Sequence, residues 1–171
     1  MSRIAGSETE VAIRDLRRRY IPLGSTFVAI LLVLMPLVAS SPWVPNLGFV
    51  LLITWRLLRP EIWAAQTALG LGLAADLVSG APLGQSMVLW TAAFLAFDYA
   101  DSLLGVRDYW LDWILAAAAI LFHSAGVWYI AVLMGSPAAF SIMLPQLVLS
   151  ILAYPIAARL VLALDRWRLM R

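Results

Sequence analysis

Residues 55–84 read WRLLRPEIWAAQTALGLGLAADLVSGAPLG. The stretch opens on two arginines, Arg56 and Arg59, and closes on a turn of Ser, Gly and Pro that carries no cation. Between Glu61 and the turn the only charged residue is Asp76. An apolar run that is basic at one end and uncharged at the other reads as one bilayer crossing, with the basic end in the cytosol.

The same alternation repeats outward along the chain. Apolar segments are expected near 22–39, 43–58, 61–78, 85–101, 112–134 and 141–164. All 12 basic residues are arginines: Arg3, Arg14, Arg17, Arg18, Arg19, Arg56, Arg59, Arg107, Arg159, Arg166, Arg168 and Arg171. The opposite connections, SSPWVPN, SGAPLGQS and GSPAAFS, have none. The expected fold is therefore all-α: a polytopic transmembrane bundle of about six helices, with short outer loops and both termini cytoplasmic. Segment 43–58 is marginal in length, ends at Pro60, and spans only if Arg56 snorkels to the inner surface.

Composition points the same way. The chain has 171 residues, is 63% hydrophobic and has a mean hydropathy of +0.90. A soluble domain of this size has too little interior to hide that much apolar surface. The net charge of +2 reads as arginine attracted to anionic lipid, not as a nucleic-acid signal. There is no cysteine, hence no disulfide, thiolate metal site or cysteine nucleophile.

Three parts are expected: an N-terminal segment 1–20, a transmembrane domain 21–165 and a basic tail 166–171. The N-terminus does not read as a cleavable signal peptide, because acids lie among its arginines. Residues 7–20 read either as a helix lying on the membrane surface or as a flexible basic tail. Ser7 and Glu10 have capping-box spacing, and Glu10–Arg14 and Asp15–Arg19 are i,i+4 pairs.

Helices in lipid associate through small residues. Ala64, Ala68 and Gly72 form one such stripe, continued by Asp76 and Gly80. Ala92, Ala96 and Ala100 form a second, and Ala153 and Ala157 a third. Segments three and four are expected to form a close antiparallel hairpin around the 79–85 turn, although alanine is also simply common here.

Asp76 lies fifteen residues beyond Glu61, about 22 Å of helix rise, and so sits near the outer face with no cation there to pair with. Two readings stand. It accepts hydrogen bonds from backbone N–H groups of the Ser79–Gly84 turn, or it is a proton or cation site. His123, the sole histidine, falls near mid-membrane and reads as a hydrogen-bonded packing residue. Asp98 is placed to reach Arg56, Arg59 or Arg107. With Asp101, Asp108 and Asp112 it suggests a cytoplasmic ion-pair network whose exposed pairs contribute roughly 0–1 kcal/mol each. There is no phosphate-binding loop, no metal-ligand spacing and no nucleophile elbow, so neither enzyme chemistry nor a cofactor is expected.

The thirty residues 55–84 resemble the core of the MreD family, the rod shape-determining integral membrane proteins of bacteria. The likeness rests on Trp55, on Arg59-Pro60-Glu61 at the inner turn, on Gly72 to Asp76, and on a closing turn of Ser79-Gly80 and Leu83-Gly84. Met35-Pro36 and Tyr154-Pro155 extend it weakly. The resemblance implies a non-enzymatic scaffold of the cell-wall elongation complex in the bacterial inner membrane. It also implies partners: MreC, held through its membrane helix, RodA with a class B penicillin-binding protein, and MreB on the cytoplasmic side. The residues expected to matter are Trp55, Arg59, Pro60, Glu61, Gly72, Asp76, Gly80, Pro82 and Gly84, mostly by shaping the hairpin. The alternative is a membrane-embedded small-molecule-binding subunit of an energy-coupling-factor-type transporter, similar in length and number of spans. It needs an outward pocket lined by polar groups, for which the outer loops offer only Gln85, Asn46 and serines.

Overall fold

A computed structural model describes residues 8–35, 41, 43–105, 108–136 and 139–169. Among these the chain is all-α, with no strand. The helices are α1 (Glu8–Leu31), α2 (Leu47–Leu58), α3 (Ala65–Ser79), α4 (Gln85–Leu103), α5 (Tyr109–Leu133) and α6 (Leu144–Leu169). Short 3₁₀ turns occupy Leu32–Leu34 and Phe140–Met143.

Local chemistry sets the helix ends. The Asn46 side chain accepts from the Phe49 N–H at 3.1 Å and caps α2. Pro60 cannot continue that helix, which closes with Arg59 N–H donating to the Trp55 carbonyl. Gly80 ends α3 at φ 69°, and Gly84 precedes α4 at φ 95°. Both lie in the left-handed region that glycine occupies without strain.

Every residue of α2 from Gly48 to Leu57 is buried. A helix that is apolar on all sides belongs in the middle of a bundle, and α2 packs against α1, α4, α5 and α6. Around it the core gathers Trp63, Trp90, Phe94, Phe97, Tyr154 and Val161. Successive helices alternate in direction. Among the described residues the ion pairs gather where α2, α4 and α6 end, and the Gly80–Gly84 turn and Asn46 lie at the other end.

Several expectations change. Only two helices among the described residues are long and apolar enough to cross a membrane: Tyr109–Leu133, and Phe140–Leu169 counted with its 3₁₀ turn. The segments expected at 43–58 and 61–78 give helices of 12 and 15 residues, about 18 and 22 Å long. They are short because Asn46 starts α2 late and because Arg59–Ala64 form a turn outside any helix. The segment expected to begin near 22 belongs to one helix running from Glu8 through Pro22 to Leu31, so residues 8–20 are not a separate surface helix. The side chains of the Glu10–Arg14 and Asp15–Arg19 pairs lie outside the described residues, as do Arg107, Pro36, Met170 and Arg171.

The packing stripes also shift. Ala68, Leu71, Gly72, Ala75 and Asp76 are the buried face of α3, while Ala64 and Gly80 are exposed. In α4 the buried face is Leu89, Trp90, Ala93, Phe94 and Phe97, and Ala96 faces outward. In α6 it is Tyr154, Ala158 and Val161, one residue on from the expected Ala153 and Ala157. Aromatic side chains, with more surface to bury, win these faces over alanine.

Candidate functional site

Helices α3 and α4 pack together more extensively than any other pair among the described residues, and Gly72 lets their backbones approach closely. A Cβ at that position would stand 2.7 Å from the Met87 Cα and 2.8 Å from the Met87 N, so only glycine lets the two backbones approach this far. The approach brings the start of α4 over the end of α3, where Asp76 is fully buried. One Asp76 oxygen accepts from Ser86 N–H at 2.8 Å. The other accepts from Gly84 N–H at 2.9 Å and, at 3.4 Å, from Met87 N–H.

Those donors belong to the N-terminal end of α4, whose first amides have no partner within the helix. The carboxylate thus caps a helix that follows it in sequence, and the positive end of that helix faces a negative charge. The expected backbone donors in the 79–84 turn resolve to Gly84 at its last position and to Ser86 and Met87 just beyond. Pro82 contributes a carbonyl that accepts from Gln85 N–H at 3.0 Å.

The other end of the 55–84 stretch enters an ion-pair network. Arg59 donates through Nε and Nη2 to Asp165 Oδ2, at 2.9 and 2.5 Å, tying the end of α2 to α6. Arg168 donates to the other Asp165 oxygen at 2.6 Å and its guanidinium lies 5.7 Å from the Trp55 ring. Trp55 is fully buried and donates Nε1–H to Ser25 Oγ at 3.0 Å, which joins α1. Arg56 donates to Asp98 at 2.5 Å and to Asp101 at 2.8 Å, joining α2 to α4. Glu61 is 3.9 Å from Arg59 and largely exposed, and Pro60 is exposed in the turn.

Two corrections follow. Arg56 does not snorkel: its side chain is 3% exposed, covered by its acids and by Phe94 at 6.0 Å. The network is not a set of exposed pairs, because Asp165, which the sequence reading missed, is equally buried. In the Arg56–Asp98, Arg56–Asp101 and Arg59–Asp165 pairs one partner is buried and the other partly exposed, so breaking one costs more than breaking an exposed pair and less than breaking a fully buried one. The only sequence signal for Asp165 is its i,i+3 spacing to Arg168, which reads as a local pair.

At the cation-free end, Asn46, Gln85 and serines of the outer loops, the polar residues expected there, do border a pocket, joined by Gln146 and His123 from the helices. A cavity of about 310 Å³ lies between α1, the 41–48 segment, α3 and the start of α6, and its lining includes Asn46, Ser79, Ser86 and Gln146. An adjoining chamber of about 140 Å³ shares those four residues and adds His123, Ser124 and Ser150. His123 is buried and stacks on Phe49 with ring centroids 4.4 Å apart. Its Nε2 has no hydrogen-bond partner, contrary to the expected hydrogen-bonded packing residue. No cluster of metal ligands occurs among the described residues.

The structure therefore splits the nine singled-out residues into two groups. Trp55 and Arg59, with Pro60 and Glu61 beside them, stand at the charged end. Gly72, Asp76, Gly80, Pro82 and Gly84 build the hairpin and its turn. Helix α3 joins the groups, which do not meet. No protein-family model, curated protein or solved structure matches the chain.

Proposed function

We propose that this chain is a multi-pass, MreD-like protein of the bacterial inner membrane, a non-enzymatic scaffold of the cell-wall elongation complex. In this reading all six helices cross the bilayer, with the ion-pair network at the cytosolic face and the Gly80–Gly84 turn outside. Helices α2 and α3 are shorter than a hydrocarbon core of roughly 30 Å; α2 is buried among the other helices and the outer end of α3 borders a cavity, where non-helical backbone is tolerated at membrane depth.

The observation that carries the reading is Asp76. Its two oxygens are engaged by backbone amides, so the one acid at the outer end works as a joint between α3 and α4. The rest of the resembling stretch likewise shapes the bundle: Gly72 by close approach, Arg59 and Trp55 by locking α2 to α6 and α1. Such a body offers partners a rigid surface. That surface is the outer side of α5 and α6, where Ile114, Leu121, Tyr129, Leu152 and Ile156 are exposed. It suits a single membrane helix of an MreC-type partner, with RodA and a class B penicillin-binding protein alongside. MreB and anionic lipid would meet the arginine-bearing face.

The test is capture of MreC by the detergent-purified protein. The scaffold reading expects capture, lost on Leu121→Arg or Leu152→Arg in a protein that still folds. It also expects capture to weaken in a folded variant combining Asp76→Ala with Gly84→Leu, which disturbs the α3–α4 joint. Failure of the wild-type chain to retain MreC, or unaltered capture by that folded double variant, rejects the reading.

A further inference from the structure

The two chambers at the cation-free end form a cleft with polar side-chain atoms that the bundle's own bonds leave unused. Asn46 uses its Oδ1 to cap α2, and no described bond uses its amide nitrogen. The Gln146 side chain makes no described hydrogen bond; only the backbone carbonyl of this residue accepts, from Ser150 Oγ. His123, 7% exposed, lines the inner chamber and its Nε2 is unpartnered. A buried polar atom without a partner costs free energy, and this one borders a space that an occupant could fill. The cleft exists because α2 starts only at Leu47 and α3 stops at Ser79, leaving room beneath Ile142 and Met143.

The lining selects the occupant. No charged side chain lines either chamber, and Asp76 does not border them. An anion would find no cation and a cation no carboxylate, so an ion would be desolvated without compensation. Neutral donors and acceptors from Asn46, Ser86, Gln146 and His123 suit an uncharged hydrogen-bonding head. Ile30, Val33, Leu47 and Met143 line the wider chamber and suit an apolar body. An apolar cavity of about 150 Å³ takes up benzene, so the inner chamber accepts a head of about that size and the outer one a body about twice as large. We infer that this cleft binds a small uncharged amphiphile, its hydroxyl or amide head bonded to His123 Nε2 and Gln146. The source is either a membrane lipid, through a glycerol-type head, or a free solute. The inference does not depend on the scaffold reading, because it rests on the cleft alone.

His123 is the only histidine, so ¹⁵N-histidine labelling of the full chain, purified with a histidine-free tag into phosphatidylcholine nanodiscs, reports this one ring. Two probes separate the sources: monooctanoylglycerol for a lipid and benzamide for a soluble amide. The expected result is a saturable shift of the Nε2 resonance with at least one probe at one equivalent per chain. Gln146→Leu should weaken that binding about tenfold, a loss of roughly 1.4 kcal/mol. Saturation by monooctanoylglycerol alone assigns a lipid, and saturation by benzamide assigns a solute. If neither probe moves the resonance saturably, or if Gln146→Leu titrates like the wild type, the inference fails.

Discussion

Asp76→Asn is nearly isosteric, so its effect isolates the role of the carboxylate. In the wild type each oxygen takes one well-formed N–H bond, from Ser86 at 2.8 Å and from Gly84 at 2.9 Å. The Met87 bond at 3.4 Å is beyond the usual range and contributes little. An asparagine keeps one of the two strong bonds, whichever way its amide turns. Its NH₂ then faces the other N–H, donor against donor. The lost charge-assisted bond accounts for roughly 1.5–3 kcal/mol, and the stranded donor for about 1–3 more. Some of this is recovered if the turn relaxes, so the expected cost is about 3–5 kcal/mol. The assay is reversible unfolding in mixed micelles with increasing dodecyl sulfate, followed by tryptophan fluorescence, with Trp90 on α4 close to the joint. A destabilisation under about 1 kcal/mol would mean that the three amides do not depend on this charge, and the reading of Asp76 as a helix-capping joint would be wrong.

Other substitutions follow from the same geometry. Gly72→Ala places a Cβ 2.7 Å from Met87 backbone and should cost about 1–3 kcal/mol or more, whereas Gly70→Ala meets nothing within 4 Å and should stabilise α3 by about 0.5–1 kcal/mol; paired melting curves decide both. Arg59→Ala leaves Asp165 with Arg168 alone and should cost about 1–3 kcal/mol, below the range for a fully buried broken pair because Arg168 remains. A double-mutant cycle with Asp165→Ala should then give a coupling energy well above that of an exposed pair. Glu61→Ala, at an exposed pair of 3.9 Å, should change stability by less than about 0.5 kcal/mol.

Much of this arrangement is legible in the sequence because it rests on local rules. Prolines and glycines at 60, 80 and 84 mark the turns, the Gly72 stripe marks the α3–α4 contact, and the lack of outer cations leaves Asp76 only backbone amides to bind. What is illegible depends on long-range packing. That α2 is the buried centre follows from its neighbours, not from its twelve residues, which read equally well as a marginal span. Asp165 meets Arg59 across 106 positions, a pairing that no periodicity signals. The faces of α4 and α6 are decided by Trp90, Phe97 and Tyr154 filling space, which small-residue spacing does not anticipate. The cleft assembles neutral residues from different elements, Asn46, Ser86, His123 and Gln146, each unremarkable where it stands.

The proposed function puts the two chemically opposite ends of the bundle on the two sides of a membrane, and the lack of cysteine makes that directly measurable. Leu83→Cys, in the exposed turn after Gly80, and Leu103→Cys, exposed at the charged end of α4, are labelled in intact spheroplasts with a membrane-impermeant maleimide. The account predicts labelling at position 83 without permeabilisation and at position 103 only after it. Labelling of both positions from the same side, or of position 103 alone from outside, would contradict it.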